Sequence, residues 1–296
     1  MKKSIKQRFK DFSNKEYPWE SFLKALCLWG IADTISIILV HDTLWTHEII
    51  IREKIYFKSW EDVFFLVNLS DSVFVYLLVL ICRIVILTLI IRGKRDVFIK
   101  SLAFFFLINT ITGTSTIATG SVALERVLWF YAIIMGNGKQ TENSVSRLIT
   151  NLSFASMQLQ LCIIYLSAAF TKVQGGLWIT GTALYYILNI DRYNNIGLIS
   201  LIKGNDTILV FMTYSVIVFQ ISFSFLVYSR FKYLVLVIGI LFHFSVGVIM
   251  GLWTFLLFPL SYIIFLNKKE YESFKDLIVN VLIKLSRKSS FLTQKT

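Results

Sequence analysis

The chain has few of the residues that interrupt helices or make ordinary globular proteins soluble. Its 296 residues include two prolines, three cysteines and three histidines, and only 16% of them are charged. Apolar residues make up 56% of the chain and the mean hydropathy is +0.67, which is more than a soluble core could hide. Lipid is therefore the expected solvent for most side chains, and intrinsic disorder is excluded.

Familiar catalytic and ligand-binding motifs are also missing. Cys27, Cys82 and Cys162 all fall within apolar runs, where an odd number of thiols gives no disulfide framework and no metal-ligand spacing. The three histidines form no H-E-x-x-H, and neither a phosphate-binding G-x-x-x-x-G-K-[ST] loop nor a G-x-S-x-G elbow is present. We therefore predict no metal site, no ATP-driven transport and no serine nucleophile.

Acidic residues are scarce, with 18 against 30 basic ones. The basic residues form short clusters between apolar runs and no base-stacking basic face, so nucleic acid is not an expected partner. With a cytoplasmic N-terminus, 21 basic residues lie inside, six lie outside and three lie within spans. This bias predicts that both termini are cytoplasmic. The first apolar run has no small-residue cleavage site, so we interpret it as a retained span and not as a signal peptide.

Hydropathy predicts an all-α, polytopic integral membrane helix bundle of about eight spans. The fourth and eighth are short, and each is expected to be tilted, re-entrant or longer than drawn. The predicted spans are Ser21–Val40, Asp71–Ile91, Ser101–Ala118, Val122–Gly136, Leu148–Phe170, Thr207–Ser229, Tyr233–Met250 and Leu252–Leu266.

This map divides the chain into a basic cytoplasmic arm (1–20), a transmembrane domain (21–267) and a basic amphipathic tail (268–296). In the tail, apolar residues repeat at helical spacing opposite lysines and arginines, which predicts a helix lying on the anionic cytoplasmic leaflet. A partner helix is the alternative occupant of its apolar face. The aromatic loop Thr43–Ser70 is predicted to form an interfacial cover on the outside.

Several polar residues lie inside predicted spans, where they are costly and face a cavity or one another. The structural interpretation is that Asp33 or Glu125 neutralises Arg83 and that Gln158 ties helices together by hydrogen bonds. Arg126 follows Glu125 directly, so the two point about 100° apart and need different partners. The alternative is that these groups line a functional site.

The segment from Gln158 to Asp191 is the most informative part of the chain. An apolar span ends at Lys172, turns over Gly175-Gly176 and resumes as an amphipathic piece after Trp178. This places an amine where a membrane helix meets water, and such a lysine either performs chemistry or extends to the headgroups. His243 is the one histidine within a predicted span, and it is either a hydrogen-bonded packing residue or a group that tunes Lys172.

This segment reads QLQLCIIYLSAAFTK, a short turn, then W-x-x-GTALYY. It resembles the signature of the horizontally transferred transmembrane (HTTM) domain family, and within it the SdpB group of sporulation-delaying-protein maturation factors. Gly181, Thr182, Tyr185 and Tyr186 after Trp178 carry the most diagnostic part of the likeness. The later run FHFSVGVIMGLWTFLLFPLSYIIF is similar too.

The resemblance implies catalytic roles for two residues. The wider family includes the vitamin K-dependent γ-glutamyl carboxylases, and Lys172 matches the position of their catalytic lysine, while His243 matches a later histidine. The carboxylases have two adjacent lysines where this chain has Thr171-Lys172. The resemblance also implies a possible quinone-type cofactor and a cavity beside Lys172. Its expected wall residues are Trp178, Gly181, Thr182, Tyr185, Tyr186 and Gln158.

The SdpB branch is associated with production of a secreted antimicrobial peptide toxin, together with a small partner protein, SdpA. The resemblance therefore implies a maturation factor in a bacterial-type plasma membrane, with Lys172 facing outside and a secreted peptide precursor as substrate. Two alternatives remain open. One is a quinone-dependent carboxylase or oxidoreductase, and the other is a non-enzymatic immunity protein or scaffold.

Overall fold

A computed structural model of the chain describes residues 4–39, 73–112, 120–135, 144–190, 202 and 204–293. The regular elements in these ranges are all helical. They are α1 Ile5–Ser13, α2 Trp19–Leu39, α3 Val73–Ile91, α4 Val97–Thr112, α5 Gly120–Ile134, α6 Ser144–Gln174, α7 Gly176–Ile179, α8 Ala183–Leu188, α9 Asp206–Leu226, α10 Lys232–Ile249, two 3₁₀ segments, Trp253–Leu256 and Phe258–Phe265, and α11 Lys268–Thr293. The predicted aromatic cover Thr43–Ser70 lies outside the described residues.

Five of these helices are long and apolar enough to cross a bilayer: α2, α3, α6, α9 and α10. They correspond to the first, second, fifth, sixth and seventh predicted spans. The chain is therefore a multi-pass helical membrane protein. The 31 residues of α6 extend about 46 Å at 1.5 Å per residue, which exceeds a hydrocarbon core of about 30 Å.

The other three predicted spans are shorter than a typical membrane helix. The third and fourth correspond to α4, of 16 residues, and α5, of 15. The eighth is not an α-helix. It consists of two 3₁₀ segments, Trp253–Leu256 and Phe258–Phe265, and Pro259 lies in the first turn of the second segment. A 3₁₀ helix rises about 2.0 Å per residue, so the run from Trp253 to Phe265 extends about 26 Å.

Large apolar side chains lie both inside the bundle and on its outer surface. The interior is filled by aromatic residues such as Trp29, Trp129 and Phe223, all at most 1% exposed. On the outside, Phe74 and Phe211 are more than 70% exposed. Such an apolar exterior would be a liability in water and is the normal surface of a protein in lipid.

The N-terminal arm contains a helix that hydropathy did not indicate. Ser4 caps α1 by accepting a hydrogen bond from the backbone of Gln7. At the other end, the Asn151 amide of α6 donates to the carbonyl oxygens of Phe12, at 2.8 Å, and Ser13. These bonds satisfy carbonyls that a helix terminus leaves unpaired, and they fasten the arm to α6.

A buried lysine secures the end of α5. Lys100, on α4, is fully buried, and its Nζ donates to the carbonyl oxygens of Ala132, at 2.6 Å, and Ile133. A cation at the carboxyl end of a helix satisfies its last carbonyls and complements its dipole. The charge count made from the sequence includes Lys100 among the cytoplasmic loop residues, whereas it lies within α4 and connects that helix to the end of α5.

The tail helix α11 begins with a reciprocal capping box. The Asn267 side chain accepts from the backbone of Glu270, and the Glu270 carboxylate accepts from the backbone of Asn267 at 2.8 Å. Glu270 also accepts from Lys232 Nζ at 2.7 Å and from the Tyr233 hydroxyl at 2.9 Å. One carboxylate therefore both starts α11 and fastens it to α10.

We predict that the start of α11 loosens in acid. Burial opposes the charge of Glu270, but hydrogen bonds from Lys232, Asn267 and Tyr233 together lower the pKa of its carboxyl below 4.5. A lowered pKa contributes stability that is present above the unfolded value and is lost as the pH falls through the folded one. Glu270→Gln should remove this dependence and cost about 1 kcal/mol of local stability. Amide hydrogen exchange over residues 268–272 measures both effects.

Glu272→Gln is the matched control, because Glu272 is exposed and its ion pair in the described part of the chain is with Lys275 on the same helix. Equal protection of the first turn of α11 in the two variants would contradict the predicted role of Glu270.

Candidate functional site

Lys172 lies in the last turn of α6, beside a tight bend. The backbone of Gly175 donates to the Lys172 carbonyl oxygen at 2.9 Å, and α7 begins at Gly176. A Cβ on Gly175 would lie 3.3 Å from Trp178 and 3.4 Å from the Lys172 carbonyl oxygen. Glycine is therefore favoured here by the close approach of the two elements.

The Lys172 ammonium is half-buried and interacts with two groups. Its Nζ donates to the Ala168 carbonyl oxygen at 3.3 Å and lies 5.1 Å from the centroid of the Trp178 ring. A cation above an indole face is stabilised by the ring quadrupole. Among the residues that the structure describes, no carboxylate forms an ion pair with Lys172.

The turn after Trp178 is built to pack against α9. Gly181 has a φ of +75°, and a Cβ there would lie 3.0 Å from Val210 and 3.1 Å from Tyr214. The Tyr214 hydroxyl donates to the Ile179 carbonyl oxygen at 2.6 Å. Thr182 bonds back to the Leu177 carbonyl oxygen. Gly181 and Thr182 therefore shape the turn and do not contact the Lys172 ammonium.

Tyr185 and Tyr186 both belong to α8 and are both exposed, by 45% and 53%. Their rings meet edge to face with centroids 5.4 Å apart. Of the aromatic residues expected around Lys172, Trp178 is the one in contact with its amine. The two tyrosines instead resemble the aromatic side chains that proteins present at a membrane interface.

His243 lies in a separate, fully packed cluster. Its Nε2 is hydrogen-bonded to the Tyr165 hydroxyl at 2.8 Å, and that hydroxyl also bonds to the Tyr262 hydroxyl at 2.5 Å. The imidazole stacks on Phe258 with centroids 4.0 Å apart. Its Nδ1 is buried and has no partner among the described residues. His243 is thus a member of a three-group hydrogen-bond chain joining α6, α10 and the second 3₁₀ segment.

The structure shows no direct interaction between Lys172 and His243 in the part of the chain that it describes. Tyr165 and Lys172 are seven residues apart on α6, which is about 10.5 Å along one face of the helix. Gln158 lies a further seven residues back on the same face. Its amide donates to the Ile264 carbonyl oxygen at 2.5 Å and is 3.5 Å from the Tyr17 hydroxyl. Gln158 therefore ties helices together at a distance from Lys172.

Charged residues form a second cluster in the interior. Arg83 donates to Asp33 at 3.3 Å and to Glu125 at 2.8 Å, and none of the three side chains is more than 5% exposed. The Trp129 indole also donates to Glu125, at 3.3 Å. Both carboxylates considered from the sequence thus contact the guanidinium. Arg126 is exposed on another side of α5.

Sequence reasoning missed Tyr165 and Tyr262 as functional candidates. Tyrosine is compatible with an apolar span, so hydropathy does not mark it. The available signal was spacing, because Gln158, Tyr165 and Lys172 recur at seven-residue intervals and share one face of α6. The described residues contain no cluster of three or more histidine, cysteine or acidic side chains suited to a metal ion, and Cys27, Cys82 and Cys162 are free thiols.

Comparisons with family models, with curated proteins and with solved structures find no match to this chain.

We predict that Tyr165→Phe destabilises the bundle by about 2 kcal/mol or more, because it leaves His243 Nε2 and the Tyr262 hydroxyl without a buried partner. Thermal or denaturant unfolding of the purified protein in detergent measures the loss. Tyr228→Phe is the control, since the Tyr228 side chain is 61% exposed and the partner of its hydroxyl among the described residues is the weakly accepting or donating Cys162 sulfur, at 4.0 Å. A Tyr165→Phe protein as stable as this control would contradict the prediction.

Proposed function

We propose that this chain is a membrane-embedded maturation factor for an exported antimicrobial or toxin peptide, with Lys172 as the group that meets the peptide. The observation that carries the proposal is a half-buried ammonium above Trp178 that has no carboxylate partner among the described residues. A cation held in this way can accept an anionic group from outside the chain, because charged hydrogen bonds are stronger away from bulk water.

Two roles for Lys172 are compatible with this geometry. In the first, the ammonium binds a carboxylate of the peptide, either a side chain or the C-terminus, and orients the bond to be processed. In the second, the neutral amine removes a proton from the peptide and acts as a general base. An arginine at the same position would retain the first role and lose the second, since a guanidinium stays protonated.

The proposed topology has eight spans, with α4, α5 and the two 3₁₀ segments completing the five long helices. An even number of spans puts both termini on one side, and the basic residues favour the cytoplasm for that side. The end of α6 that carries Lys172 would then face the exterior of a bacterial-type plasma membrane. There it would meet a secreted peptide precursor and a small SdpA-like partner.

A quinone-type cofactor is less well supported by the contacts near Lys172. Thr171, Thr180 and Thr182 are the nearby hydroxyl groups, and each bonds to a carbonyl oxygen of its own segment. Within the part of the chain that the structure describes, the hydroxyl protons of these three threonines are thus already donated. We therefore assign no step to such a cofactor.

We predict that Lys172→Ala abolishes mature peptide in the culture medium, while precursor export continues. Lys172→Arg separates the two roles, since it should retain output if the amine orients the peptide and lose it if the amine is a base. Mass spectrometry of the medium from cells that express the precursor and partner genes measures both. Lys24→Ala is the control, because Lys24 is a partly exposed span lysine that pairs only with Glu20 on its own helix.

Full peptide output from both Lys172 variants would overturn the proposal. If cells expressing this chain alone survive the toxin, and do so regardless of Lys172, the immunity or scaffold alternative is the correct one.

The proposed orientation in the membrane predicts which side of the membrane each exposed segment faces. A cysteine at Thr180, which is exposed next to α7, should react with an impermeant maleimide in intact cells. A cysteine at Ser273, which is exposed on α11, should react only after permeabilisation. The parent protein is a suitable background, because Cys27 and Cys162 are at most 5% exposed and Cys82 lies within the apolar helix α3. Labelling of Ser273→Cys in intact cells would contradict cytoplasmic placement of the tail.

A further inference from the structure

The buried cluster of Asp33, Arg83 and Glu125 has an unbalanced charge. It joins α2, α3 and α5, and it contains one guanidinium and two carboxylates. With both carboxylates ionised, the cluster would carry one excess negative charge in the interior of a membrane protein. A buried ion without compensation is far more costly than a buried neutral group, and such sites neutralise themselves by binding a proton or a cation.

No other charge on the neighbouring helices compensates this excess. Lys100 is the one charged residue of α4, and its Nζ lies at the Ala132 carbonyl oxygen, about 10.5 Å along α5 from Glu125. The charged residues of α6 are Arg147 and Lys172, close to its two ends. Arg126 points to another side of α5, and Glu20 and Lys24 pair with each other near the start of α2.

The remaining titratable groups that face the cluster are neutral when protonated. They are Cys27 on α2 and Tyr76 on α3, and neither supplies a positive charge. Among the residues that the structure describes, the charge balance therefore has to be met within the cluster itself.

The two carboxylate oxygens of Glu125 differ in their hydrogen bonding. Oε1 accepts both hydrogen bonds, from Arg83 at 2.8 Å and from Trp129 at 3.3 Å. Oε2 is buried and has no partner among the described residues. Asp33 has no orphaned oxygen of this kind. A proton on Oε2 would thus restore neutrality without removing any existing hydrogen bond.

We propose that this cluster is a proton-binding site, in which Glu125 carries one proton on Oε2 while Asp33 and Arg83 stay ionised. The proton comes from a hydronium ion of the solvent, whose O–H bond breaks as the O–H bond on Oε2 forms, and a water molecule is released. The site goes beyond the proposed function of Lys172 and does not depend on it. It makes the packing of α2, α3 and α5 sensitive to pH, because loss of the proton returns an uncompensated charge to the interior.

Infrared spectroscopy of the purified protein in detergent at about pH 8, where exposed carboxyls are ionised, tests the proposal. We expect the carbonyl band of a protonated carboxylic acid in the wild type, a shift of that band when glutamate alone is labelled with carbon-13, and its loss in Glu125→Gln. Glu272→Gln, which removes an exposed carboxyl, should keep the band. This labelling experiment needs no substitution, so it is informative even if Glu125→Gln fails to fold.

Thermal unfolding gives an independent readout. The free energy of unfolding of the wild type should fall relative to that of Glu125→Gln as the pH rises above the pKa of an exposed carboxyl, because the unfolded chain then releases a proton that the folded chain still holds. Three results would overturn the proposal: no protonated-acid band in the folded wild type, a band that glutamate labelling leaves in place, or a band that disappears in Asp33→Asn and persists in Glu125→Gln.

Discussion

The charge of Arg83 cannot be hydrated where it lies, and this constraint governs the arrangement of the first half of the bundle. A buried guanidinium requires a compensating anion and hydrogen-bond acceptors, and α2 and α5 supply them by presenting Asp33 and Glu125 to α3. The close approach is visible at Gly30, where a Cβ would lie 3.0 Å from Glu125 Oε1 and 2.9 Å from Leu87. Removing Arg83 would leave carboxylate charge in a medium that cannot solvate it.

The second half of the bundle uses neutral groups for the same purpose. Tyr165, Tyr262 and His243 satisfy one another, and Gln158 satisfies a carbonyl of the 3₁₀ segment. Helices without a strong hydrophobic drive to associate in lipid depend on such bonds and on close packing of small residues. Gly239 has this packing role, because a side chain there would collide with the ring of Tyr262. The first half of the bundle is therefore held by buried ion pairs, and the second half by hydrogen bonds between neutral groups.

Sequence reasoning found the elements whose signal is length and apolarity. It placed α2, α3, α6, α9 and α10 because 18 or more apolar residues in succession indicate a membrane helix. It did not find the 3₁₀ conformation of Trp253–Phe265, since hydropathy reports how apolar a segment is and not whether its helix is α or 3₁₀. The hydropathy profile also did not show that Glu270, in the capping box at the start of α11, would bind Lys232.

In the candidate site, too, apolarity predicted the positions of residues along the chain but not their contacts. The position of Lys172 at a helix end followed from the change in hydropathy, and Trp178 lies beside it. Which of Asp33 and Glu125 would reach Arg83 could not be chosen, because hydropathy does not report the rotation of a helix about its axis. The relation of His243 to Lys172 was equally open, as it depends on how α10 packs against α6. That packing brings the imidazole to Tyr165.

The seven-residue spacing of Gln158, Tyr165 and Lys172 limits how α6 can change in length. A single inserted residue between Tyr165 and Lys172 would rotate the amine, together with the bend and Trp178 that follow it, by about 100° around the helix axis relative to Tyr165. An insertion of seven would keep its direction and move it about 10.5 Å farther along the axis. Length variation between these residues therefore keeps their common face only in steps of two whole turns, and each step would carry the amine and its bend together away from Val210 and Tyr214 of α9.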